Sequence, residues 1–177
     1  MGLIKSDVLK YLSDTRAHYA AYHNHKEVSA WAGVALYVLL IVQILFAKDE
    51  FLKSSGIIAG TSILIVILLV VMLLYLKTQF SLRREAANYV AALLYLSAHH
   101  LRSNENDIQQ ENFLIAVKTD SGHHSPQILP KIVQDMASEM DWVGHGARRR
   151  LEFVAFSIVL VISAAALLRL WSLCHLA

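Results

Sequence analysis

The sequence predicts an all-α integral membrane protein with three transmembrane helices and a small helical cytoplasmic layer. Three observations predict it. Hydrophobic residues make up 56% of the 177 residues and charged residues only 17%, where a soluble domain carries about 45–50% and about 25%. The apolar excess is gathered into three runs, and the mean hydropathy is +0.46. Two prolines and seven glycines leave little material for strands and tight hairpins.

The first 27 residues are polar and contain Lys5, Asp7, Lys10, Asp14 and Arg16. A cleavable signal peptide would place its apolar core nearer the start. Helical character runs over 4–27, with Ser6 or Asp7 as cap and Val8, Tyr11, Leu12, Tyr19 and Tyr22 as the apolar positions. Residues 1–27 are therefore expected as a cytoplasmic helix that can continue into the first run. That run, 28–47, is the first transmembrane helix; its 20 residues carry no charge and match the roughly 20 needed to cross a bilayer. The connection 48–55 is a short external loop. The second transmembrane helix is 56–76, again without charge.

Residues 77–152 form a cytoplasmic helical region. At its start, Phe80, Ala87, Leu94 and Leu101 recur every seven residues, with Val90, Ala91 and Ala98 on the same face and Arg83, Arg84 and Glu85 off it. Such a stripe suits packing against another helix or subunit. The segment 113–118 is expected as part of a helical turn from Asp107, and 119–126 as a loop. Pro130 opens a helix with the stripe Ile132, Val133, Met136 and Met140. Gly144-His145-Gly146 is expected as a joint before the third transmembrane helix, 153–171, where Arg169 snorkels to the interface beside Trp171. Residues 172–177 are an external tail.

Orientation follows from charge. Thirteen of the 16 basic residues lie in 1–27 and 77–152, which places both segments and the N-terminus in the cytoplasm and the C-terminus outside. The triplet Arg148-Arg149-Arg150 fits this topology, with an anionic lipid or nucleotide site as the competing reading.

Chemistry-bearing residues are few. The letters His23-Asn24-His25 are consecutive, whereas a nuclease of that name spreads its residues over a metal-binding frame. His18, Tyr22 and His25 share one helix face and His23 and Glu27 another, and each set lacks a third strong ligand. Adjacent histidines, His99-His100 and His123-His124, point about 100° apart on a helix and make no bidentate site alone. The lone Cys174 excludes an internal disulfide framework. No catalytic, cofactor-binding or metal motif appears, so the expectation is a non-enzyme without cofactor. Inside the runs, Gln43, Thr61 and Ser62 are expected at similar depth as candidate pore-lining groups, with Ser157 and Ser163 on the third helix. Gly56 and Gly60 form a small-residue face for close helix packing.

The helix around Tyr19, Tyr22, His23 and Lys26, two closely spaced spans, and the charged-then-tyrosine segment Arg84, Glu85 and Tyr89 resemble the SLATT family of bacterial membrane proteins. The resemblance covers about residues 10–102. It implies a homo-oligomeric effector that forms a gated pore in the bacterial inner membrane. It also implies a role in anti-phage defence under a nucleotide or oligonucleotide signal, with a nucleotidyltransferase as system partner. Arg83, Arg84, His99, His100 and Arg102 are the candidate phosphate contacts. The alternative is a non-conducting membrane adaptor that docks a soluble partner through 103–150; a metal-dependent membrane enzyme using the histidines is a third reading.

Overall fold

The computed structural model describes residues 5–48, 52, 54–102, 116–117, 129–139 and 145–176. The architecture is all-α: α1 (Lys5–Leu45), α2 (Ser55–Arg102), α3 (Lys131–Glu139) and α4 (His145–Leu176). The exception is a minimal antiparallel pair, β1 (Ala116–Val117) with β2 (Leu129–Pro130), in which Ala116 faces Pro130 and Val117 faces Leu129. The helical turn expected over 113–118 is thus a strand at 116–117, where cross-strand pairing with Leu129 and Pro130 overrides a weak local preference. Residues 107–115 and the loop 119–126 lie outside the described residues.

No proline precedes Pro126, so nothing removes a backbone donor from the first two helices. α1 and α2 accordingly run unbroken for 41 and 48 residues, about 62 and 72 Å at 1.5 Å per residue. Each is about twice the thickness of a hydrocarbon core. Three helices, α1, α2 and α4, are long and apolar enough to cross a membrane. One segment expected as irregular is helical instead: His145 and Gly146 open α4 rather than forming a joint, and α4 runs on to Leu176.

The chain divides into two compact units. The first comprises Lys26–Ser81 and Gly146–Ala177 and packs stretches of α1, α2 and α4. Its core takes Ala30, Val34, Tyr37 and Ile41 from α1, Ile58, Ile65, Met72, Leu76 and Phe80 from α2, and Ala155, Val159, Ala166 and Leu170 from α4. These spacings of three, four and seven are those of helices meshing side chains along a narrow seam. Hydrogen bonds fix the register. Tyr37 on α1 meets Ser163 on α4 at 2.7 Å, and Tyr75 on α2 donates to the Ser29 carbonyl of α1 at 3.0 Å. α1 and α4 therefore run parallel within this unit, with α2 antiparallel to both.

The second unit comprises Met1–His25 and Leu82–His145. Its described core is Val8 and Leu12 of α1, Ala92, Leu93 and Leu96 of α2, and Val133 and Ala137 of α3, with Tyr19, Tyr89, Ile132 and Met136 packed against it. The expected stripe of α3 is present at Ile132, Val133 and Met136; Met140 lies outside the described residues. On α2 the stripe is corrected. Leu94 and Leu101 are 52% and 63% exposed, Ala98 is exposed, and Arg83, expected off the packed face, is buried. The reason is a heptad line carried over from the first unit. Ile58, Ile65 and Met72 continue at sevens through Gln79, Ala86 and Leu93, and Leu76 leads to Arg83 on a parallel line.

Candidate functional site

The polar groups of the apolar stretches are the natural candidates, because lipid offers them no hydrogen bonds. Ser163 is fully buried on the inward seam of α4. Its hydroxyl contacts the Val159 carbonyl at 2.6 Å and the Tyr37 hydroxyl at 2.7 Å. That settles Ser163 as an inter-helix contact. Tyr37 itself was not singled out in the sequence, although its spacing of seven from Ala30 marks it as seam-facing.

Gln43, Thr61 and Ser62 sit at a common level, as expected. Gly33 lies against Met72 and Tyr75; Gln43 is ten residues beyond Gly33, and Ser62 is ten residues before Met72. Both lie about 15 Å from that contact along antiparallel helices. Their orientations differ. Gln43 is exposed, Thr61 and Ser62 are half-buried, and the Ser62 hydroxyl donates to its own helix at Ile58 O, 2.8 Å. Gly60 has nothing within 4 Å of where a Cβ would stand, and Gly56 only the Ser54 hydroxyl at 3.7 Å. Among the described residues, this small-residue face packs against no other helix.

Arg169 belongs to the same level. Its guanidinium donates to the Ile44 carbonyl at 3.0 Å and the Ala47 carbonyl at 2.6 Å. Rather than simply snorkelling beside Trp171, Arg169 caps the C-terminal carbonyls of α1, where a cation is favoured by the helix dipole. No basic residue of α1 itself occupies its last turn.

Among the described residues, the phosphate candidates do not gather. Arg83 is buried, Arg84 half-buried and His99 exposed against Tyr95, whose ring it stacks at 6.4 Å. Arg84 and His99 are 15 residues apart on one continuous helix, about 22 Å, which no single phosphate spans. The side chains of His100 and Arg102 lie outside the described residues, as do those of Arg148, Arg149 and His145, and all of His123 and His124. His18 is exposed with its ring edge-on to Tyr19, and His23 Nδ1 is 3.3 Å from Asn24 Oδ1. Among the described residues, no three His, Cys, Asp or Glu side chains are grouped to hold a metal ion.

A further constellation lies in the second unit, at residues quoted in the sequence for their type and not for their chemistry. Tyr19 of α1 meets Tyr89 of α2 with ring centroids 4.9 Å apart and planes tilted 43°. The Tyr89 hydroxyl donates to Glu85 Oε1 at 3.4 Å, one turn away. Tyr22 lies one turn from Tyr19 and within electrostatic reach of Glu85. These residues are outside the apolar runs 28–47 and 56–76. Burial first, and the Glu85 carboxylate besides, raise the pKa of all three phenols above the ordinary tyrosine value. They are neutral across the physiological range.

No family model matches the sequence, and no curated relative or solved structure matches it.

Proposed function

We propose that this chain is a multi-pass protein of the bacterial inner membrane that self-associates into a gated pore. The observation that carries the reading is Gln43. Its amide is exposed on α1, near the level of the Arg169 cap, on a stretch otherwise suited to lipid. An amide facing hydrocarbon lacks partners, and contact with a second copy or a water-filled path supplies them. The seam inside one copy is filled by apolar side chains and by the Tyr37–Ser163 pair, so a conducting path in this reading runs between copies. Gln43, with Thr61 and Ser62 at its level, lines it.

In the same reading the N-terminus and 77–152 are cytoplasmic and the C-terminus external, in keeping with the distribution of basic residues. The SLATT-like layout supports a role as an anti-phage effector released by a nucleotide or oligonucleotide. Arg84 and the His99–Arg102 segment then serve as separate contacts, in keeping with their spacing along α2. The adaptor alternative, docking a soluble partner through 103–150, is favoured by one observation just before that segment, the exposure of Leu94, Tyr95 and Leu101 on α2, which such a partner would also cover.

Ion flux from liposomes containing the purified protein tests the pore. Conduction is expected from the wild type, with a several-fold loss in Gln43→Leu at equal protein incorporation. Protein that is correctly inserted and never conducts, with or without candidate nucleotides, overturns the reading. Co-purification of such a non-conducting monomer with a soluble protein would favour the adaptor.

A further inference from the structure

The outward faces of α1 and α2 in the first unit are unlike, and they match. Gln43 stands two residues past the fully buried Ile41, and Gly60 two residues past the buried Ile58. At about 100° per residue, each is turned about 200° away from the seam. On α1 the outward line is bulky: Leu36 and Leu39 are 70% and 60% exposed, with Gln43 a turn further on. On α2 it is bare. Gly56, Ala59 and Gly60 are exposed, and Gly60 has nothing within 4 Å of where a Cβ would stand. The helix backbone is unscreened there, and its carbonyls keep a second lone pair beyond their own helical bonds. Gln43 is ten residues beyond Gly33 and Gly60 twelve before Met72, about 15 and 18 Å from that contact along antiparallel helices. An exposed amide and an uncovered stretch of backbone thus share a depth, on different sides of one bundle.

We propose that the α1 ridge of one copy, with Gln43 on it, seats on the α2 groove at Gly56 and Gly60 of the next copy, and that this head-to-tail contact closes into a ring. Copies in one membrane share an orientation, so α1 of one meets α2 of the next antiparallel and at the same depth. Bulky side chains then enter a groove floored by glycine, where backbones approach closely. The Gln43 amide donates to the carbonyls that the missing side chains leave open. Lipid tails would fill the groove but give the amide no partner. A foreign helix would need a polar group of its own at this depth; a second copy brings one there by construction. Both features point away from the same three-helix seam, so they diverge and one neighbour cannot cover both. Each copy therefore uses a different face on each side, the heterologous geometry that closes into rings. The proposal rests on the self-association reading above and names the contact that makes it.

The test uses full-length chains in membranes, with Cys174→Ser throughout. One tagged chain carries Leu39→Cys, a turn from Gln43. A second, differently tagged, carries Ile67→Cys, seven residues from Gly60. Both positions are exposed and lie at nearly one depth, so the contact itself stays unaltered. Oxidation with copper phenanthroline should join the two chains when they are co-expressed, and should join neither to itself. A chain carrying both cysteines should give a ladder that extends past the dimer. Gly60→Leu should reduce cross-linking several-fold with helix content unchanged, because its side chain meets open space within one copy. Gln43→Leu, which keeps the bulk and loses the amide, should reduce it as well. Like-with-like pairs as the main product, a ladder that stops at two, or cross-linking indifferent to Gly60→Leu overturns the proposal. So does a chain that stays monomeric, or one joined mainly to a foreign protein. Ion flux from the same preparations keeps the two readings apart. Conduction without this cross-link overturns the ring contact and leaves the pore, whereas a ladder in protein that never conducts supports the contact and overturns the pore.

Discussion

Tyr37 and Ser163 make a shared hydroxyl pair, but their losses are unequal. In Tyr37→Phe the ring is retained and Ser163 still bonds the Val159 carbonyl, so no orphan is created; a cost of about 0.6 kcal/mol is expected. In Ser163→Ala the Tyr37 hydroxyl is left inside an apolar seam, and the cost rises to about 1–2 kcal/mol. Reversible unfolding in micelles should rank the two variants in that order, and the opposite order would show that Tyr37 finds another partner. Gly33 tests packing at the same scale. A Cβ there would stand 2.6 Å from Cε1 of Tyr75, and that ring is tethered by its hydroxyl to the Ser29 carbonyl. Gly33→Ala is therefore expected to destabilise by about 1–3 kcal/mol, outweighing the gain of about 1 kcal/mol in helix propensity. Adding Tyr75→Leu should recover part of the loss.

At the level of elements, α1 ends where a side chain from α4 meets its carbonyls. Arg169→Leu removes both bonds and leaves the end of α1 to fray, with a loss of about 1–2 kcal/mol expected. Arg169→Lys should retain only part of the cap, because an ammonium lacks the planar fork that reaches two carbonyls at once. Hydrogen exchange at 42–47, measured in both variants, reads this directly. These elements were unequally legible in the sequence. The three long helices were plain from the uncharged runs and the absence of proline. The packed face of α2 is only partly legible: Phe80 is buried in the seam, but steps of seven from it lead to Leu94 and Leu101, which are exposed. The line begins instead at Ile58, and extending it at sevens reaches Ala86 and Leu93. The burial of Arg83 follows from the same line and runs against its charge. The cap by Arg169 was not legible, since it joins residues 125 positions apart; nor was the pairing of 116–117 with 129–130, because two-residue strands carry no periodicity.

Across the whole molecule, three helices are long and apolar enough to cross a membrane, and the proposed topology puts the termini on opposite faces. Cys174, the one cysteine, makes this measurable without engineering. An impermeant maleimide should label it from the outside of intact cells, whereas a cysteine placed at position 3 of a Cys174→Ser chain should react only after lysis. The reverse pattern would invert the proposed topology. The candidate site was legible in its depth, since Gln43, Thr61 and Ser62 do share a level. Its orientation was not legible, because exposure depends on how three helices turn against one another. The Tyr37–Ser163 pair also sets a clock. Its two hydroxyls are 126 residues apart, so at about 5–20 residues per second the ribosome delivers the second roughly 6–25 s after the first. During that interval a newborn α1 holds a tyrosine hydroxyl whose mate has not been made. Whatever shelters it then, be it interfacial water, insertion machinery or another nascent chain, takes part in the birth of a protein that no longer needs it.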